Sequence, residues 1–522
     1  MLTLPQAKTK RLVAIHGWSG AVLGLLLYAV VLTGAIAVFA DEIGTWSQGG
    51  AETGRTISEP VDRHLRQLAR SVDPSLLEEV SISKTATGAL RFGFHTHRTD
   101  PESGNVEDYT VVYHVSPLTG EVLSEREGFR TEVRQQEFGL ALKRFLVDLH
   151  VQLYVPAPWG LLLTGVLGLA MMVAGVSGLL IHRHLIRDIF VAPRGDARLV
   201  GARDRHVLAA SWGLPFSFLL AFTGAFFSFA LSLGLPVVAM VAFGGDQEAL
   251  IQTVVGQEEL ADTSPSPLAS LDYIVWDSTD RAGSGPVSVR IAGYGTAGAK
   301  VTVFHGPSGG HLTGTRHLFD GVTRGFLGTK PIIGTQPSAG AVAVSLMAPL
   351  HFGNFAGLAS KTAWLALGAA MAYVIATGMQ MWVKRRQDVM AWRHVGRAVT
   401  VTIWGLPLAL LGSAVGFFVT LPAGDPIWWT PASFVLACVV LIAMGCGRRD
   451  PSERYCWLLG ALCLGLPLLR HLTGGTSWSE ALLDGQAAVL SIDLLLLGLG
   501  VAALWWPRRK AETQAWVPEP AE

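Results

Sequence analysis

Charge is scarce in this chain. Only 15% of its 522 residues are Asp, Glu, Lys or Arg, against about a quarter in an average soluble domain. Lys plus Arg equals Asp plus Glu, so no net charge points to a nucleic acid or another polyanion. Cysteine is scarcer still. Cys438, Cys446, Cys456 and Cys463 all fall in the last third, and no two form a Cys-x-x-Cys pair. None lies in the long polar segments, so disulfides do not hold those segments together. The four read as small apolar residues inside hydrophobic runs. Nucleotide-binding signatures are also missing. Gly293-Tyr-Gly-Thr-Ala-Gly298 has the Gly-x-Gly-x-x-Gly spacing, but a dinucleotide site needs a strand before it and a helix after it. Here a strand pattern follows, so the segment reads as a hairpin loop. Any nicotinamide, flavin or quinol donor is then a separate molecule.

What the chain has is long apolar runs. Half of its residues are hydrophobic, and they come in blocks. A membrane span needs roughly 20 apolar residues to cross a hydrocarbon core about 30 Å thick. Eight runs qualify: 18–40, 158–181, 207–235, 361–383, 398–421, 431–447, 455–470 and 486–506. Basic residues fill every second connection: Lys8, Lys10 and Arg11; Arg183 to Arg205; Lys384 to Arg397; Arg448, Arg449 and Arg454; Arg508 to Lys510. Positively charged short loops stay in the cytoplasm. Both termini are therefore expected inside a bacterial inner membrane, and segments 41–157 and 236–360 outside it. Trp159, Trp364, Trp428, Trp429, Trp505 and Trp506 stand near span ends, where interfacial Trp belongs. The first apolar run exceeds a signal-peptide core, so it is expected to be retained as a helix. The predicted fold class is an all-α membrane protein, a bundle of about eight transmembrane helices with two periplasmic α+β loop domains.

In the first outer segment, 62–71 and 74–80 read as helical. Strand patterns cover 90–94, 109–115 and 121–126, with a Pro/Gly turn at Val115-Ser-Pro-Leu-Thr-Gly120. In the second, 287–292 and 300–305 alternate as strands, followed by the turn-like His305-Gly-Pro-Ser-Gly-Gly310.

The chain repeats itself. His16 precedes Thr33-Gly34 by the same 17 residues that separate His206 from Thr223-Gly224. His150 stands 28 residues before Gly178, and His351 stands 27 before Gly378. Residues 11–185 and 200–386 are thus two copies of one helix–loop–helix unit, and 398–506 is an accessory four-helix region. Both copies enter from the same side, so a pseudo-two-fold axis runs along the membrane normal. That axis pairs His16 with His206 near the cytoplasmic face and His150 with His351 near the outer face. A lone histidine at a helix end is usually an interfacial side chain that snorkels to water. Four of them, paired by a repeat at membrane depth, point instead to haem iron held from both sides. His182 is the alternative ligand. Small residues (Gly17, Gly20, Gly24, Gly160, Gly165, Gly168, Gly353, Gly357) suit a flat macrocycle, but taken alone they read as helix–helix contacts.

These motifs resemble the PepSY-associated transmembrane family of bacterial iron-regulated membrane proteins. The resemblance rests on Arg11-Leu-Val-Ala-Ile-His-Gly-Trp-Ser-Gly20, Asp148-Leu-His150, Arg205-His206, Pro349-Leu-His-Phe-Gly353 and the strand–turn–strand Tyr113-His-Val-Ser-Pro-Leu-Thr-Gly-Glu-Val122. It spans about residues 10 to 386. The second outer segment matches the family's loop pattern poorly. The resemblance implies two haem b groups, ligated by His16, His206, His150 and His351. It also implies reduction of a ferric siderophore or other ferric chelate outside, by electrons from a cytoplasmic reductase or quinol. Two alternatives use the same features: a transporter built from parallel repeats, and a non-enzymatic sensor or assembly factor. His95 and His97 share one strand face, and His305, His311 and His317 cluster in sequence. Without carboxylate or Cys partners, both groups read as surface histidines rather than metal ligands.

Overall fold

The computed structural model describes residues 5–48, 56–181, 198–447 and 451–515, apart from 86, 102–103, 105, 247–248, 251–252, 255–261, 309–310 and 335. Among these, eight helices are long and apolar enough to cross a membrane. They are α1 (Gln6–Ala37), α6 (Trp159–Ile181), α7 (Arg198–Phe229), α10 (Gly357–Lys384), α11 (Met390–Thr420), α12 (Pro426–Gly445), α13 (Ser452–Leu472) and α14 (Ala487–Ala515). Each covers an expected apolar run. The first extends further toward the N-terminus, so Lys8, Lys10 and Arg11 lie on α1 itself. The third continues past a π turn at Ala230–Gly234 to Ala242. Shorter helices among the described residues include α2 (Ala40–Gln48), α3 (Asp62–Leu68), α4 (Arg130–Gln135), α5 (Ala141–Gln152), α8 (Leu271–Ala282) and α9 (Ala339–Phe352).

The two long segments do not make separate loop domains. They join in one antiparallel sheet of eight strands, in the order β4-β3-β2-β1-β5-β6-β7-β8. The first segment supplies β1 (Glu79–Lys84), β2 (Leu90–Thr99), β3 (Val106–Val115) and β4 (Val122–Phe129). The second supplies β5 (Pro286–Ala292), β6 (Lys300–His305), β7 (Thr315–Asp320) and β8 (Phe326–Pro331). Each half is a four-stranded meander, and the halves meet where β1 pairs with β5 (Val80 opposite Ile291, Ile82 opposite Val289). The second half thus folds like the first despite its weaker motif. β1 replaces the end of the helix expected over 74–80. Only Pro74–Leu77 coils, because Val80 and Ile82 alternate onto the buried face. Strands β7 and β8 were not expected at all. Gly293-Tyr-Gly-Thr-Ala-Gly298 lies in the β5–β6 connection, as its sequence suggested.

The meanders share one core. Phe92, Phe94, Val80, Ile82, Val289, Ile291, Val301 and Val303 pack against Leu65 and Leu68 of α3 and Leu271 and Ile274 of α8. Each fully buried side chain of this size stabilises by roughly 1.5–3 kcal/mol. The two helices also cap each other across the pseudo-axis. The Asp272 carboxylate accepts from the Val61 and Asp62 N–H groups at 2.7 and 3.0 Å, and Asp62 accepts from the Leu271 N–H at 3.2 Å. Carboxylates at helix N-termini satisfy orphan donors.

The accessory helices α11–α14 sit on the first repeat. Leu410, Phe417, Phe418 and Leu466 pack on Trp46, Leu142, Phe145 and Leu149. A fully buried ion pair fixes this contact: Arg470 Nη2 lies 2.8 Å from Asp493 Oδ2. Trp46 of α2 and Trp478 each donate an indole N–H to the same carboxylate, at 2.7 and 2.9 Å.

Candidate functional site

The four repeat histidines come together as two pairs. The His16 and His206 ring centres are 6.5 Å apart, and those of His150 and His351 are 6.1 Å apart. His16 and His206 sit on the spans α1 and α7. The other two sit at the C-terminal ends of α5 and α9, short helices that stop just before spans α6 and α10. Sequence reasoning did not resolve these as separate helices. Each stop is made by a left-handed residue, Leu153 and Gly353 respectively.

Glycines make the room. A methyl group at Gly178 would lie 3.1 Å from the His16 ring, at Gly378 3.2 Å from His206, at Gly34 2.6 Å from His150, and at Gly224 3.2 Å from His351. The repeated Thr-Gly and Ser-Gly markers are therefore the seats of the imidazoles. His16 of α1 leans on Gly178 of α6 and His206 of α7 on Gly378 of α10, while His150 of α5 leans on Gly34 of α1 and His351 of α9 on Gly224 of α7. The spacing that revealed the repeat carried this signal, but not what the glycines faced. Most of the other glycines make helix contacts. Gly24 meets Met379, Gly165 meets Phe229, and Gly168 meets Ala221 and Ala225. Gly20 differs: one turn beyond His16, a methyl there would meet nothing within 4 Å.

Hydrogen bonds set the tautomers. His16 Nδ1 lies 2.9 Å from the Ala174 carbonyl and His150 Nδ1 lies 3.0 Å from the Val30 carbonyl. A carbonyl only accepts, so both nitrogens carry the proton. His206 Nδ1 is 3.1 Å from Thr377 Oγ1, and His351 Nδ1 is 2.9 Å from Thr223 Oγ1. Each of these hydroxyls already donates its single proton to a helix carbonyl, of Tyr373 and Leu219, so it accepts from the imidazole. In all four rings Nδ1 is thereby tied to a neighbouring helix, which leaves Nε2 as the nitrogen available to a metal. This is the state of a metal-ligating histidine whose far nitrogen is anchored. Two imidazoles that share one metal at roughly 2 Å from each nitrogen have ring centres about 6–6.5 Å apart. Both pairs meet that distance.

Other histidines behave differently. His305 and His317 are buried around Ser278, whose hydroxyl is 2.7 and 3.0 Å from their nitrogens. Burial pushes both below the ordinary histidine pKa, so they read as core groups. His311 and His394 are exposed. His182, the alternative ligand, lies outside the described residues, as does His184.

The fold and these pairs define a class: a multi-pass membrane protein with an eight-stranded sheet and four histidines set as two facing pairs. A family model described as the PepSY-associated TM region matches residues 13–385. The chain belongs to this family. It is also similar to an uncharacterized protein of Pseudomonas aeruginosa, 26% identical over 263 residues, which covers 46% of this chain and 63% of the relative.

Proposed function

We propose that the chain is a di-haem b-type electron-transfer protein of the bacterial inner membrane that reduces a ferric siderophore or similar ferric chelate on the sheet side. The observation that supports it most is the pairing itself: two sets of facing imidazoles, each with Nδ1 anchored and Nε2 free. His16 with His206, and His150 with His351, would each hold one haem, which when bound supplies one-electron redox chemistry. The chain's own part is to fix the ring tautomers, seat the rings on glycine, and keep the interior apolar. Between the two levels the repeated spans carry no Asp, Glu, Lys or Arg apart from Lys361 near the sheet end. That favours electron passage over the transporter reading, which expects polar groups at the midplane.

The levels fit the thickness of a membrane. On α1, His16 and Gly34, the seat of His150, are separated by 18 residues, a rise of about 27 Å. His16 and His206 would hold one group within reach of a cytoplasmic reductase or quinol, and His150 and His351 would hold the other, from which one electron would convert one ferric ion to ferrous. Charges of both signs stand near the His150/His351 level: Arg144 and Asp148 lie on α5 with His150, and Arg144 pairs with Glu137 at 3.5 Å. The test is a vesicle assay with a reductant sealed inside and a ferric chelate plus a ferrous-specific dye outside. Wild-type protein is expected to colour the dye, and the His150→Ala variant is expected to lose at least about tenfold in rate. Equal rates in empty vesicles would refute the reading.

A further inference from the structure

The outer sheet carries a second cluster, unconnected with the histidine pairs. Phe92 and Phe94 of β2 point into the core, so His95 and His97 project from the opposite face. The sequence offered no carboxylate beside them. Strand pairing supplies one, because Asp108 of β3 stands opposite His97. His95 Nε2 is 2.9 Å and His97 Nε2 is 3.5 Å from Asp108 Oδ1, and one ligand atom from each residue lies within 4.8 Å of the others. Donors that share one cation at about 2.1 Å stand roughly 3–3.5 Å apart, so the three groups need little movement to close on an ion.

The surroundings orient the donors. Arg130 Nη1 holds Asp108 Oδ2 at 2.7 Å, which turns Oδ1 toward the histidines. Glu78 Oε1 lies 3.7 Å from His97 Nδ1, on the far side of that ring, and Glu78 is itself fixed by Thr96 Oγ1 at 3.0 Å. A carboxylate behind a ligating imidazole is the usual outer partner at metal sites.

We propose that His95, His97 and Asp108 bind a divalent first-row transition cation at the sheet surface. Two imidazoles and one carboxylate suit iron(II), cobalt(II) or zinc and leave positions open for water or a further ligand. The proposal does not depend on the haem reading, since no ligand is shared.

The experiment is calorimetric titration of cobalt(II) into the untagged, detergent-purified full-length chain, with bound metal counted by mass spectrometry. The expected result is one cobalt per chain at this site, with affinity lowered at least about tenfold in His97→Gln and in Asp108→Asn. Arg130→Ala retains the ion, because Arg130 is not a ligand, and unchanged thermal unfolding of each variant excludes misfolding as the cause. A wild-type chain that takes up no cobalt, or uptake that survives either ligand substitution, would overturn the proposal.

Discussion

At the scale of single residues, the site is a matter of what glycine leaves open. At Gly34 an added methyl would come within 2.6 Å of the His150 ring, whereas at Gly224 it would stand 3.2 Å from His351. Gly34→Ala must therefore displace an imidazole that Gly224→Ala only nudges. The expected result is loss of haem from the sheet-side pair in Gly34→Ala and near-normal content in Gly224→Ala, read by pyridine haemochrome assay. Equal haem in the two variants would contradict the seating. A second residue-scale prediction concerns His114, on the sheet. Burial beside Arg126 and Arg91 lowers its pKa from 6.5 to about 4. Its neutral ring bonds the Ser124 hydroxyl at 2.9 Å. The unfolded chain binds more protons in this interval, so His114 contributes its full stability above pH 6.5 and loses it progressively as pH falls toward 4. Thermal unfolding measured across that window should fall less steeply in His114→Gln than in wild type, and parallel slopes would refute the assignment.

At the scale of elements, spans were legible because lipid demands continuous apolar runs and leaves little else to read. The strands were only partly legible. Lys300–His305 alternates cleanly, but Thr315–Asp320 buries Arg316 and His317, which hides its period from a polarity reading. Helices α5 and α9 were obscured because each runs into a span with only a short break. The accessory helices gave the weakest signal, and Asp493 had no reading until Arg470, Trp46 and Trp478 were seen around it. That cluster makes its own prediction. Asp493→Asn leaves the Arg470 guanidinium buried without its counter-charge, which costs about 3–5 kcal/mol. The variant should unfold several degrees lower in detergent, and replacing both Arg470 and Asp493 with Leu should recover part of that loss. An unchanged melting curve for Asp493→Asn would show that the pair does not hold the accessory helices in place.

At the scale of the whole molecule, reciprocal contacts join the two halves: β1 with β5, the caps Asp62 and Asp272, and the members of each histidine pair. The order and spacing of the histidines were readable from sequence because a repeat preserves spacing even where its residues drift. That the two long segments close into a single sheet was not readable, because strand pairing across about 200 residues leaves no local mark. The His150/His351 pair lies at the ends of α5 and α9. The account therefore rests on what those facing imidazoles hold. The measurement that tests it most directly is the visible spectrum of the purified chain, oxidised and dithionite-reduced, with haem counted per chain after expression with haem supplied. Two haems with sharp reduced b-type bands, falling to one in His16→Ala and in His351→Ala, is the predicted result. A colourless protein, or full haem content in both variants, would contradict it.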